Sequence, residues 1–407
     1  MMKAVVYGAG NIGRGFIGPL FVKGGYKVTF IDVDKKIVEA INEKKTYPIR
    51  LLSNGGPKGI LTEEIWVSGV SAVNGMDKQE VIDLITEADL MATAVGVRVL
   101  PMVAPVIAGG LKKRFKLGTA PLNIIVCENL IGADKYLAGL VGENLEGPEL
   151  KQLKERVGFV EASIGRMVPI QTPGMQEGNS LRICSEKYSF LPVNKDAFIG
   201  AIPEVEGLIP IQNFGFFIQR KLFIHNMGHA LCAYMGQLLG DIYISDTAAR
   251  SDVLFITQNA MFESARALGK KFNVPLTEII DHVGDLLNRF NNRALKDTCA
   301  RVGADIERKL GPSDRFIGAI SNCREQGVTP AFISIGAAAA LYCLLKERGL
   351  SENEENAVAA LKEASGLEKD SSETRLILDM YLKIAEGKNP GELLQTALYL
   401  GNKEGII

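Results

Sequence analysis

From Lys3 to Asn129 the chain alternates short apolar runs with stretches of mixed polarity, and that rhythm predicts its elements. The runs Ala4–Tyr7, Val28–Asp32, Leu90–Ala94 and Asn123–Cys127 have the length of buried strands. Between them Gly13–Val22 and Ile37–Glu43 read as helices, the second opening after Asp34. Strand and helix in alternation predict a doubly wound parallel sheet with right-handed crossovers, the α/β Rossmann architecture. Tyr47–Leu52, Gly59–Leu61 and Ile65–Ser68 read as β insertions, with a turn at Gly55-Gly56-Pro57. Residues 157–193 keep a β-branched and aromatic character, broken by a turn at Thr172-Pro173-Gly174. After Pro192 the texture changes to amphipathic helices: Asn213–Met235, Ala248–Leu268, Leu276–Arg289, Ala331–Arg348, Glu354–Glu363 and Glu373–Glu386. The pattern therefore predicts a Rossmann domain with β insertions over residues 1–195 and a mainly α-helical domain over 196–407.

Composition narrows what such a chain does. With 407 residues, 47% of them hydrophobic, it can bury a core large enough for two domains. Its 46 basic and 47 acidic residues nearly balance and form no long single-sign run, which argues against a nucleic-acid partner or a polybasic membrane surface. No apolar stretch reaches the roughly 20 residues of a membrane helix. Lys3-Ala4-Val5-Val6-Tyr7 runs straight into glycines and reads as a first strand, not a signal peptide. Cys127, Cys184, Cys232, Cys299, Cys323 and Cys343 are scattered without a C-x-x-C pair, as reduced thiols of a cytoplasmic protein would be.

Gly8-Ala9-Gly10-Asn11-Ile12-Gly13 has the G-x-G-x-x-G spacing, follows a predicted strand and opens a predicted helix. Gly8 would permit the tight turn, Gly10 would leave room for a pyrophosphate, and Gly13 would let helix and strand approach. The helix N-terminus would offer amides and partial positive charge to phosphates. Asp32, ending the second strand, would accept from adenosine ribose hydroxyls and repel a 2′-phosphate. That predicts NAD, although Lys35-Lys36 lie close in sequence. Thr93, Val95 and the small residues around them would line the cofactor at the carboxyl edge of the sheet.

A second candidate site lies in Arg220–His229. On an α-helix with Lys221 at zero, His225 falls at about 40°, His229 at about 80° and Asn226 at about 140°. All four then share one arc, where polar groups are costly to bury unless used or paired. A desolvated lysine can serve as general base, an asparagine amide can hold a developing alkoxide, and a histidine can position hydroxyls. His225 and His229 are also spaced i, i+4, as two metal ligands would be. No glutamate follows His225 and no third ligand is visible, so no metal is expected.

The string Gly8–Gly18 (GAGNIGRGFIG) together with Lys221-x-x-x-x-Asn226-x-x-His229 resembles the polyol-specific long-chain dehydrogenases. Thr93–Gly96, Pro121–Asn129, Val157–Pro169, Arg289–Phe290, Leu295–Asp297 and Arg301–Arg315 extend the resemblance over residues 3 to 320. It implies a catalytic lysine at Lys221, oxyanion-stabilising asparagines at Asn129 and Asn226, and a substrate-positioning histidine at His229. It also implies reversible, metal-independent oxidation of D-mannitol 1-phosphate to D-fructose 6-phosphate with NAD. The stretch Arg301–Arg315 is basic, as in members that use phosphorylated substrates. Arg301 is assigned to substrate hydroxyls and Arg308 or Arg315 to phosphate, against the alternative of surface ion pairs with Asp305, Glu307 and Asp314. Three departures from the family pattern bear on substrate preference: Gly165 in place of an acidic residue, Asn292-Arg293 in place of Asn-Pro, and His225 in place of an aliphatic residue. An unphosphorylated polyol or a hexuronate is the competing substrate class, and an NAD-sensing protein the non-enzymatic alternative. The expected active site is a cleft between the two domains, in a monomer or small homo-oligomer whose partner is a small sugar phosphate.

Overall fold

The computed structural model describes residues 2–54 and 59–403, so the turn expected at Gly55-Gly56-Pro57 lies outside the described residues. The chain divides into two units, Met1–Phe214 and Gly215–Ile407.

The first unit contains β1 (Lys3–Tyr7), β2 (Lys27–Asp32), β3 (Thr46–Asn54), β4 (Ile60–Ser68), β5 (Val70–Asn74), β6 (Leu90–Thr93), β7 (Leu122–Val126), β8 (Val157–Glu161), β9 (Ile183–Glu186), β10 (Leu191–Asn194) and β11 (Leu208–Ile211). Six of them form one parallel sheet in the order β5-β2-β1-β6-β7-β8. In sequence rank this is 3-2-1-4-5-6, the doubly wound dinucleotide-binding order. Ala4 and Val6 of β1 enter one hydrophobic core, Val5 and Tyr7 the other, so the sheet is buried on both faces. Strands buried in this way have no polar face, which is why they read as continuous apolar runs.

Two insertions differ from expectation. Gly59–Leu61 and Ile65–Ser68 are not separate pieces: Ile60–Ser68 is one strand, antiparallel to β3. Its middle, Thr62-Glu63-Glu64, is exposed on a sheet edge, so its polarity hid its continuity. Val70–Asn74 went unpredicted, yet it is the parallel edge strand beside β2.

The division at Phe214 falls beyond the boundary expected at 195. Residues 196–214 belong to the first unit because β11 pairs in parallel with β10. Asn123 on β7 also holds Ile199 by both backbone groups, at 3.1 Å from Nδ2 to its carbonyl and 2.9 Å from its amide to Oδ1.

The second unit is helical. Ala331–Glu347 is buried along almost its whole length. A Cβ on Gly336 would lie 2.7 Å from Phe316 and 3.1 Å from Leu231, so glycine lets this helix press against Met227–Leu239. Its N-terminus is held by Glu263, a buried side chain whose two oxygens accept from the amides of Phe332 and Ile333 at 3.0 Å each. Burial pushes that carboxyl up to about 8, against the pull of the same amides and Arg266. None of the six cysteines forms a disulfide among the described residues, and all six are buried. Among the described residues no helix is long and apolar enough to cross a membrane.

Candidate active site

Each unit carries part of the predicted machinery. In the first, Gly8 has φ +106° and donates its amide to Ile31, and Ala94 donates to Tyr7, so the loop leaves β1 between the ends of β2 and β6. A Cβ on Gly8 would lie 2.4 Å from the Ala94 carbonyl oxygen, and one on Gly13 1.9 Å from that of Gly8. Both positions therefore require glycine for packing. Gly10 differs: a Cβ there meets nothing within 4 Å. Open space beside the second glycine is what a pyrophosphate needs, and the first-turn amides of the following helix lack intrahelical acceptors.

Ala9 is pinned from both sides. Its amide donates to Asp32 Oδ2 at 2.7 Å, and its carbonyl accepts from the buried Arg14 Nε at 2.5 Å. Asp32 Oδ1 accepts from the Asp34 amide at 3.0 Å, which fixes the carboxylate at the carboxyl end of β2. Asn11 Nδ2 reaches the Pro169 carbonyl at 3.3 Å, and Ile12 packs on the core. Lys35 and Lys36 are exposed. Thr93 Oγ1 is buried and has no hydrogen-bond partner among the described residues, an orphan beside the cofactor edge. These features fit a dinucleotide.

Sequence reasoning missed Glu128. It is buried after β7 and accepts from the amides of Val95 and Gly96 at 3.0 and 2.8 Å, holding the loop that follows β6. The signal was a lone acidic residue ending an apolar strand, next to Asn129, which is exposed. Gly165 packs against Tyr188, whose ring would lie 3.0 Å from a Cβ there.

In the second unit the helix predicted as Asn213–Met235 is not uniform. Gly215–Arg220 is α-helical, Lys221–Asn226 is a π-helical turn, and Met227–Leu239 is α-helical again. The Met227 amide reaches back to the Leu222 carbonyl, the i→i+5 bond of such a turn. The angular positions expected from an α-helix therefore need correction. A wider turn rotates less per residue, so Asn226 lies nearer the face of Lys221 than the roughly 140° of an α-helix. It also separates His225 from the others: His225 is buried, whereas Lys221, Asn226 and His229 are half-buried.

All three histidines of the chain gather here. Burial holds His225 well below its ordinary pKa, with Arg289, His229, His282 and Lys221 adding to the effect. Burial, then Arg220 and Arg289, pushes His282 down to about 3. Both rings are neutral at physiological pH. Phe290 stacks on His229 at 5.0 Å and 9° between planes.

Arg301 lies against Asp297, Nε at 2.7 Å and Nη2 at 2.5 Å from Oδ1, while His229 Nε2 is 3.2 Å from Oδ2. Burial alone would raise the Asp297 carboxyl, but His229 and Arg301 hold it below its ordinary value. Arg308 pairs with Asp314 at 2.9 Å and with Asp305 at 3.8 Å; Arg315, buried, pairs with the other oxygen of Asp314 at 2.9 Å. Lys309 is buried between them and donates to the carbonyls of Val302, at 2.6 Å, and Ala304. Burial, then Arg315 and Arg308, pushes its ammonium down to about 7. Asp297 and Lys309 lay inside recognised strings but drew no assignment, because their partners are visible only in three dimensions. Among the described residues no group of three or more His, Cys, Asp or Glu side chains could hold a metal ion.

The Rossmann-domain model of the mannitol dehydrogenases matches residues 2–207, and the C-terminal domain model of the same family matches residues 213–394. The chain belongs to the mannitol dehydrogenase family and is a dehydrogenase. Among curated relatives, a mannitol-1-phosphate 5-dehydrogenase of Brevibacillus brevis is 36% identical over 340 residues, 84% of this chain and 86% of its own. Among solved structures, a ternary complex of Pseudomonas fluorescens mannitol 2-dehydrogenase with NAD and D-mannitol has a TM-score of 0.77 at 14% identity, covering 98% of this chain and 94% of that one. A substrate-free D-sorbitol dehydrogenase has a TM-score of 0.76 at 16% identity, covering 97% and 95%. At those identities the two structures share the fold.

Proposed function

We propose that this chain is an NAD-dependent dehydrogenase that interconverts D-mannitol 1-phosphate and D-fructose 6-phosphate, with Lys221 as the general acid and base. The observation that carries the substrate is the 36% identity to the Brevibacillus brevis enzyme over 84% of the chain. What supports the chemistry is the π-turn that groups Lys221 with Asn226, one helical turn before His229.

NAD supplies the hydride acceptor at its nicotinamide. Lys221 Nζ takes the proton of the reacting hydroxyl as the carbon–hydrogen bond breaks, and returns it to the alkoxide in the reverse direction. Asn226 and Asn129 donate amide hydrogens to the oxygen on which negative charge develops. His229 and Arg301 orient the neighbouring hydroxyls, and Arg308 or Arg315 meets the phosphate.

The test compares fructose 6-phosphate, fructose, fructuronate and tagaturonate with NADH and NADPH side by side. Fructose 6-phosphate with NADH is the expected best pair. Faster reduction of fructose or a hexuronate overturns the phosphate assignment, and NADH binding without turnover of any of them overturns the enzymatic one. A second reading, an unphosphorylated polyol as substrate, draws on one observation: Arg308 and Arg315 both engage Asp314, which offsets part of their charge.

A further inference from the structure

Asp297 has two oxygens with two different duties. Oδ1 takes both Arg301 contacts, at 2.7 and 2.5 Å, and Oδ2 lies 3.2 Å from the buried His229 Nε2, which meets no aligned hydrogen-bond partner among the described residues. The residue is 8% exposed, and its backbone is fixed: its carbonyl accepts from the Ile244 amide at 2.9 Å, and the Cys299 amide two residues on donates to Ile242 at 2.9 Å. The plane of the imidazole is set separately by Phe290, stacked within 9°.

Chemistry then decides where the imidazole proton sits. An ionised carboxylate only accepts, so the nitrogen facing it carries the hydrogen. In a neutral ring the other nitrogen is then an acceptor. We propose that Asp297 is a positioning residue that locks His229 as its Nε2–H tautomer, so that Nδ1 accepts a hydrogen bond from a substrate hydroxyl; this rests on the dehydrogenase reading above. Arg301 is essential to the lock. A guanidinium only donates, and by occupying Oδ1 it leaves Oδ2 for His229.

The same logic makes Asp297→Asn informative. Arg301 must face the amide oxygen, which turns the amide NH2 toward His229 Nε2. That nitrogen becomes an acceptor, and the proton moves to Nδ1. Long-range proton–nitrogen spectra of the full chain labelled with 15N-histidine read this directly. The three histidines give few signals, and His229→Gln identifies the one that matters. The expected wild-type pattern is Nε2–H, and the expected Asp297→Asn pattern is Nδ1–H. Reduction of fructose 6-phosphate with NADH is expected to slow by about 10–100-fold in kcat/KM, the cost seen when a metal-ligating histidine loses the partner that orients it. The KM for NADH stays as it was.

A wild-type Nδ1–H pattern overturns the inference, and that measurement needs no variant to fold. An unchanged tautomer in Asp297→Asn overturns it as well. If the tautomer switches but wild type reduces none of the sugars, the positioning role stands and the proposed substrate falls.

Discussion

Two helical segments carry the recognisable motifs, and both contain a π-turn: Gly13–Ile17 in the first unit and Lys221–Asn226 in the second. They are built by opposite means. In the first, the absence of side chains specifies the shape. A Cβ at Gly13, Gly15 or Gly18 would lie 1.9 Å from the Gly8 carbonyl oxygen, 2.7 Å from Ile183 or 2.5 Å from Phe30. The Tyr47 hydroxyl also takes the Arg14 carbonyl at 2.9 Å, the kind of insertion that opens a helical ladder. In the second, remote parts of the chain set a functional side chain just past the turn, with Phe290 and Asp297 both acting on His229. A site made by steric exclusion is written into local spacing. A site made by partners is written across the chain.

The largest effect that tests this contrast is Lys221→Met, which keeps the apolar stem and removes the charge. The expected loss in kcat is about 10²–10⁴-fold, the range of a lost general acid–base group. NADH affinity is expected to stay unchanged, because the residues that fit the cofactor lie in the first unit. A kcat within tenfold of wild type removes Lys221 from the chemistry. Next comes Gly13→Ala. Its methyl group has no room, and overpacking of this kind costs about 1–3 kcal/mol or more. Thermal melting should record a fall in Tm together with lost NADH binding. Gly10→Ala is the control that sharpens the contrast: with nothing within 4 Å it should melt like wild type and weaken only NADH binding. Equal destabilisation by the two substitutions would mean that Gly10 is not the open side of the loop.

The same contrast explains what the sequence made legible. β1, β2, β6 and β7 were read to within a residue at most ends because parallel strands buried on both faces leave uninterrupted apolar runs. The glycine fingerprint was equally clear, since each glycine answers a local steric demand. β5 was missed because Val-Ser-Ala-Val-Asn is short and mixed, and its partner β2 lies before two intervening strands. The π-turn at Lys221 was missed because helical periodicity assumes one constant pitch. Glu128 and Asp297 were missed for a third reason: a buried carboxylate declares itself by the amides or cations it meets, and those come from other segments. Arg308 and Arg315 show the converse. Their basic spacing was evident, but not that one carboxylate, Asp314, sits between them.

The smallest effect concerns Lys309, a partner-built feature with a pH signature. Burial and the neighbouring Arg315 and Arg308 hold its ammonium at about 7, against the opposing charges of Asp305 and Asp314; the ordinary value is 10.5. Between those values the unfolded chain carries the proton and the folded chain does not. Stability therefore rises with pH across that window, where the unfolded state binds more protons. Below about 7 both forms are protonated and the full cost of burying the charge is present. Glu263 works in the other direction: with its carboxyl raised from 4.5 to about 8, the folded chain holds the extra proton and stability falls as pH climbs through that interval. The two slopes overlap between about 7 and 8, so wild-type melting alone mixes them. The difference in Tm between wild type and Lys309→Met isolates the lysine, because Glu263 is common to both. That difference should move in favour of wild type as pH rises from 7 to 10, as the neutral amine keeps its bonds to Val302 and Ala304 without the charge. A difference independent of pH would mean that Lys309 stays charged in the fold. It would then be a cation held beside Arg308 and Arg315, and the basic segment would be stronger as an anion site than its ion pairs with Asp314 suggest.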